Sequence, residues 1–170
     1  PPSASVVSPT SELNEMLSKV DTGPYCVRGL SLGGLCTALQ IPELKLLLDA
    51  GLAPRSFVGS DTLLLSHGHV DHVGGLGSLL GMRGLMSKTC PLRVFMPEEI
   101  APLIEKMLEA MTQMQRYDLS VDSVPMRPGD TQELRGDLHV RAFRTHHPVP
   151  SLGYEVLRRV QKLKSEFRGL

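Results

Sequence analysis

Residues 66–72 read Ser66-His67-Gly68-His69-Val70-Asp71-His72, placing three imidazoles and a carboxylate in one short loop. Histidine nitrogens and carboxylate oxygens are the donors that zinc and other first-row divalent cations prefer. Crowded this closely, they would compete for the same solvent unless a shared cation organised them. The chemistry expected is therefore metal binding, the alternative being a solvated loop that is merely rich in histidine. The spacing lets His67 and His69 point the same way and grip one ion, while Asp71 and His72 turn to the other side and start a second. Gly68 lets the backbone bend between the first two. His146 and His147 form a further pair, and one of them is expected to complete the first ion. Asp49, before Ala50-Gly51, either caps a turn or orients the histidine loop. Zinc is favoured by donor type, although manganese or iron also suits such a set.

These side chains need rigid elements beneath them. The apolar run Thr62-Leu63-Leu64-Leu65-Ser66 is short and bounded by polar residues, which predicts a strand buried on both faces that delivers the chain into His67. Residues 37–41 and 44–49, joined across Pro42-Glu43, read as a β-hairpin ending at Asp49. Residues 72–88 mix five glycines with leucines and methionines, predicting a helix packed closely on a sheet. Residues 92–96 form another strand. Between Pro97 and about Tyr117, Ile100, Leu103, Ile104, Met107, Leu108, Met111 and Met114 fall at helical spacing, and this stripe reads as core. Strands over 121–125 and 138–145 follow, the second alternating Leu138, Val140 and Ala142 with outward residues and ending at His146-His147. Strands alternating with helices make an α/β layered pattern.

At 170 residues the chain suits one domain, with 1–24 as a flexible lead-in containing a short helical possibility at residues 11–17, and the domain itself over 25–170. Hydrophobic residues make up 41%, yet no apolar run reaches the roughly 18 residues of a membrane span, so no membrane partner is expected. The formal net charge is zero, which excludes a globally basic protein that coats nucleic acid but leaves room for a local basic patch. Cys26, Cys36 and Cys90 are odd in number and form no C-x-x-C pair. That argues against a disulfide framework and for a reducing, cytoplasmic setting, an organelle remaining open.

The H-x-H-x-D-H loop after a buried strand, preceded by an aspartate at a strand end, resembles the metallo-β-lactamase-fold hydrolases. The segment His147-Pro148-Val149-Pro150-Ser151-Leu152-Gly153-Tyr154 is similar to the H-x-x-x-x-x-G-Y segment of ribonuclease Z, the endonuclease that trims the 3′ end of precursor tRNA. Residues 29–34, 82–85 and 162–170 also look like the short, plant-type relatives of that enzyme, as does Asp49-Ala50-Gly51-Leu52-Ala53-Pro54-Arg55 where many bacterial members carry a glycine-rich D-C-G-E-G-T-Q stretch. The resemblance runs from about residue 25 onward.

It implies a layered αββα fold, of which this chain is the first half with the C-terminal part absent. It also implies a zinc-dependent phosphodiesterase that cleaves precursor tRNA 3′ trailers through a metal-activated hydroxide. By the same resemblance His67, His69 and His147 hold one zinc, the G-Y spacing selecting His147 over His146, while Asp71 and His72 hold the other. A complete site has two zincs, Asp71 is a ligand and proton acceptor, and Asp49 and His146 stand behind the ligands. Family members take a bridging aspartate and a last histidine from a C-terminal half that this sequence does not include. The expectation is that the chain continues past Leu170 or that a second copy supplies the rest, as in a homodimer. Two other readings stay open: a hydrolase of the same fold acting on a small ester, thioester or phosphodiester, and an inactive zinc-binding half that pairs with a partner. Arg158, Arg159, Lys162, Lys164 and Arg168 form a basic run that is either a solvated helical face or an RNA-contacting surface. With 4% aromatics and no tryptophan, RNA would be read by backbone shape and charge.

Overall fold

The computed structural model describes residues 16–160. Strands β1 (Ser18–Asp21), β2 (Cys26–Leu32), β3 (Cys36–Ile41) and β4 (Leu46–Leu48) run antiparallel in chain order. From β4 the direction changes: β5 (Thr62–Leu64), β6 (Leu92–Pro97) and β7 (Val121–Met126) each lie parallel to the strand before. Parallel neighbours need a crossover of some length, usually helical. Helices α1 (Val70–Val73) and α2 (Leu76–Leu85) supply it between β5 and β6, and α3 (Ala101–Gln115) between β6 and β7. A second, antiparallel sheet has the order β10-β9-β8, built from β8 (Thr131–Arg135), β9 (Leu138–Arg144) and β10 (Leu152–Arg158).

The period of two along the central strands sorts their side chains into two cores. Leu63 and Val94 are register partners facing the helices, where Leu47 and Met96 join them against Leu76, Leu79, Ile104 and Leu108. Leu64 and Phe95 are the next partners and face the other way. With Leu46 and Met126 they meet Val140, Ala142 and Leu152 of the small sheet. The layers are therefore helix, sheet, sheet. The outer face of the small sheet carries Arg141, Phe143, Glu155 and Leu157, all exposed.

Several sequence expectations change. The helix over 72–88 splits into α1 and α2 at Gly74-Gly75, because a Cβ on Gly75 would lie 2.8 Å from the Ala50 carbonyl oxygen and the chain must pass close to it. The apolar stripe of α3 is wider than its buried face: Leu103 and Met114 are 61% and 77% exposed, while Ile104 and Leu108 enter the core. Strand β1 lies inside the expected lead-in, paired with β2, and residues 11–15 of the helical possibility there lie outside the described residues. Strands β8 and β10 were not anticipated. β8 is mostly polar, with only Leu134 packed against the core, and β10 begins within the segment that the sequence marks as a motif.

Candidate metal centre

The site forms where β4, β5 and the β9–β10 connection end together. Beyond β4 the chain turns at Asp49 in the left-handed region, with φ of 57°. The turn continues at Gly51, where a Cβ would sit 1.8 Å from the Asp71 carbonyl oxygen, so only glycine lets it lie against the histidine loop. The Ala50 N–H donates to the His72 carbonyl at 2.7 Å, tying the turn to the start of α1. From the other side, the Leu152 N–H donates to the Ser66 carbonyl at 2.9 Å, and His67 pairs with Ser151 in an isolated antiparallel bridge. The Tyr154 hydroxyl donates to the Leu65 carbonyl at 2.7 Å, and Thr145 and Ser151 hydroxyls meet at 2.6 Å across the intervening loop. These bonds bring His147 over the end of β5.

The result is a cluster of imidazoles around His67. Its ring centroid lies 4.7 Å from that of His69, 4.0 Å from His72 and 4.3 Å from His147. Ring nitrogens of His67, His69 and His147 all fall within 4.8 Å of one another. His67 Nε2 and His69 Nδ1 are 3.1 Å apart, close to the roughly 3.3–3.4 Å that separates two nitrogens bound at 2.0–2.1 Å to one tetrahedral zinc. Burial, then the neighbouring His72, His147 and His69, push the His67 imidazole down to about 4. A neutral imidazole keeps its lone pair at neutral pH, which is the form a metal requires. The donor set therefore fits a divalent cation.

Asp71 and His72 stand beside this trio. Asp71 Oδ2 accepts the Gly34 N–H at 2.9 Å and lies 3.6 Å from His72 Nε2. Against some cost of burial, the Gly34 amide and then His72 and His69 hold the Asp71 carboxyl below its usual range. His72 Nδ1 bonds Asp49 Oδ2 at 2.8 Å. Asp49 is buried, which raises its pKa, while bonds from the Ser66 amide, His72 and the Ser66 hydroxyl oppose that rise. Asp49 thus contacts the histidine loop rather than only capping its own turn. His146 is exposed and outside the ring cluster. Sequence reasoning did not single out Ser66, the Gly34 amide or the Tyr154 hydroxyl as parts of this arrangement. Only the place of Ser66, directly before His67 at a strand exit, could have signalled it.

Arg158 ends β10, a strand and not the helical face considered from sequence, and pairs with Asp137 at 3.2 Å. Arg159 is exposed, and Lys162, Lys164 and Arg168 lie outside the described residues.

Residues 38–164 match the family model described as a beta-lactamase superfamily domain. The nuclear ribonuclease Z of Triticum aestivum is 40% identical over 146 residues, covering 86% of this chain and 82% of its own length. The chain belongs to the ribonuclease Z family. The chloroplastic tRNase Z TRZ2 of Arabidopsis thaliana is 37% identical over 89% of this chain, but the match covers 42% of that relative. The crystal structure of the short form of human tRNase Z superposes with a TM-score of 0.54 at 19% identity, covering 79% of this chain and 57% of that one. The layered architecture is thus that of the metallo-β-lactamase fold, and the chain spans about half the length of these last two relatives. Among the described residues no helix is long and apolar enough to cross a membrane.

Proposed function

We propose that this chain forms the zinc-binding part of an endoribonuclease that removes 3′ trailers from precursor tRNA. The observation that carries this reading is the meeting of three imidazole nitrogens within 4.8 Å, at the strand ends of a ribonuclease Z family chain. His67, His69 and His147 would hold one zinc, and Asp71 with His72 would offer donors to a second. When bound, zinc polarises a phosphoryl oxygen and lowers the pKa of the attacking water.

The protein's own groups do the rest. Asp71, kept ionised and pinned through one oxygen by the Gly34 amide, is placed to accept the water's proton. Asp49 and Ser66 hold the histidines in position. A cleft of about 260 Å³ opens beside His147 and is lined by Arg144, Thr145 and Ser151, where the Arg144 cation suits a substrate phosphate. Arg158 lies six residues along β10 from Leu152, about 20 Å at 3.3–3.4 Å per residue. With Arg159, Lys162, Lys164 and Arg168 it would grip the body of the RNA rather than the scissile bond. The remaining donors would come from further sequence or from a second copy in a homodimer. Three free, unpaired cysteines suit a reducing cytoplasmic or organellar setting.

The test is cleavage by the full-length protein of a precursor tRNA with a 3′ trailer, beside a small chromogenic phosphodiester. Release of the trailer is expected. Turnover of the small diester alone would replace this reading with that of a small-molecule hydrolase. A second reading, an inactive zinc-binding half, predicts bound zinc without turnover of either substrate.

A further inference from the structure

We propose that Ser66 is a positioning residue whose hydroxyl fixes the ring tautomer of His67 and also meets Nδ1 of His72, which Asp49 holds independently, so that one side chain touches both donor groups of the site. This rests on the reading of the cluster as a metal centre, and it assigns work to a residue that the ligand set does not include.

The argument is one of proton counting. The Ser66 Oγ lies 2.8 Å from Asp49 Oδ2 and 3.0 Å from Oδ1, while the Ser66 backbone N–H already donates to Oδ1 at 2.8 Å. Both carboxylate oxygens face the hydroxyl, and Oδ1 already accepts the Ser66 N–H, so the hydroxyl proton is directed at Asp49. Two lone pairs remain on the oxygen. Facing them are Nδ1 of His67 at 2.9 Å and Nδ1 of His72 at 3.3 Å. An oxygen that has spent its proton can only accept, so both nitrogens carry hydrogen. His72 Nδ1–H is shared with Asp49 Oδ2 at 2.8 Å.

The consequence appears at the far side of each ring. With Nδ1 protonated in a neutral imidazole, Nε2 keeps its lone pair. His67 Nε2 faces His69 Nδ1 at 3.1 Å, and His72 Nε2 faces Asp71 Oδ2 at 3.6 Å. Each Nε2 thus points away from the hydroxyl, toward the other donors of the cluster. The two histidines differ in what backs them: Asp49 also holds His72, whereas Ser66 Oγ is the partner of His67 Nδ1. Removing the hydroxyl should therefore free His67 and spare His72.

The experiment is long-range ¹H–¹⁵N correlation of the histidine rings in metal-free protein, followed by zinc titration against a competing chelator, for wild type, Ser66→Ala and Ser66→Thr. Wild type should show Nδ1–H at both His67 and His72. Ser66→Ala should lose the single tautomer at His67, retain it at His72, and bind zinc about 10–100-fold more weakly, the usual effect of removing a group that orients a ligand. Ser66→Thr, which keeps the hydroxyl, should restore both. A proton on Nε2 of His67 in wild type would overturn the inference, as would an Ser66→Ala variant with unchanged tautomers and zinc affinity. Should Ser66→Ala fail to fold, the wild-type tautomers and the threonine variant still decide the matter. The ring spectra need no metal, so correct tautomers in a protein that binds no zinc would refute the metal reading while leaving the hydroxyl's role standing.

Discussion

The two adjacent histidines show how much one residue's position decides. His146 and His147 are chemically identical, yet the turn closed by Thr145 and Ser151 puts the His147 ring 4.3 Å from His67 and leaves His146 exposed. His147→Ala should cut zinc affinity by more than about 100-fold, through loss of a direct ligand, while His146→Ala should leave it within about threefold. Chelator competition measures both, and equal losses would contradict the assignment. The expectation of His147 over His146 came from the resemblance of residues 147–154 to the ribonuclease Z segment, and the ring geometry agrees with it. Ser66 was not legible in sequence. Its role depends on where a hydroxyl lies between three groups drawn from two loops, and a one-dimensional spacing rule carries no such information.

At the scale of elements, segments with strong apolar patterning could be read and polar ones could not. The leucine run before His67 gives β5, whose Leu63 and Leu64 are buried on opposite faces, and the α3 region is helical as its spacing predicts. Strand β8, with Thr131, Gln132 and Glu133 exposed, exists because β9 offers it an edge, a tertiary cause that its own sequence does not display. The split between α1 and α2 likewise follows from close approach to the Asp49–Gly51 turn. That contact gives a sharp prediction: Gly51→Ala forces a methyl into the Asp71 carbonyl and should cost on the order of 1–3 kcal/mol. A thermal melt would show it as a lowered midpoint. It should also weaken zinc binding, since the displaced backbone belongs to the ligand loop. An unchanged melt would mean that the loop relaxes freely around the turn.

For the whole molecule, the described residues build three layers with the candidate site at one rim, where strands of both sheets end. The fold class followed from alternating strands and helices, and the family from the motifs. Placement of Arg158 at the far end of β10, about 20 Å along the strand from Leu152, predicts a division of labour. Arg158→Ala combined with Arg159→Ala in the full-length protein should weaken precursor tRNA binding, flatten its dependence on salt concentration, and leave hydrolysis of a small phosphodiester unchanged. An unaltered salt slope would remove these arginines from the RNA surface.

The central claim is that His67, His69 and His147 hold zinc, and the most direct test is metal content. Elemental analysis of the purified 170-residue chain after exhaustive dialysis should find at least one zinc per chain, lost in His67→Ala and in His147→Ala. A wild-type chain without zinc, or either variant with its zinc intact, would contradict the account.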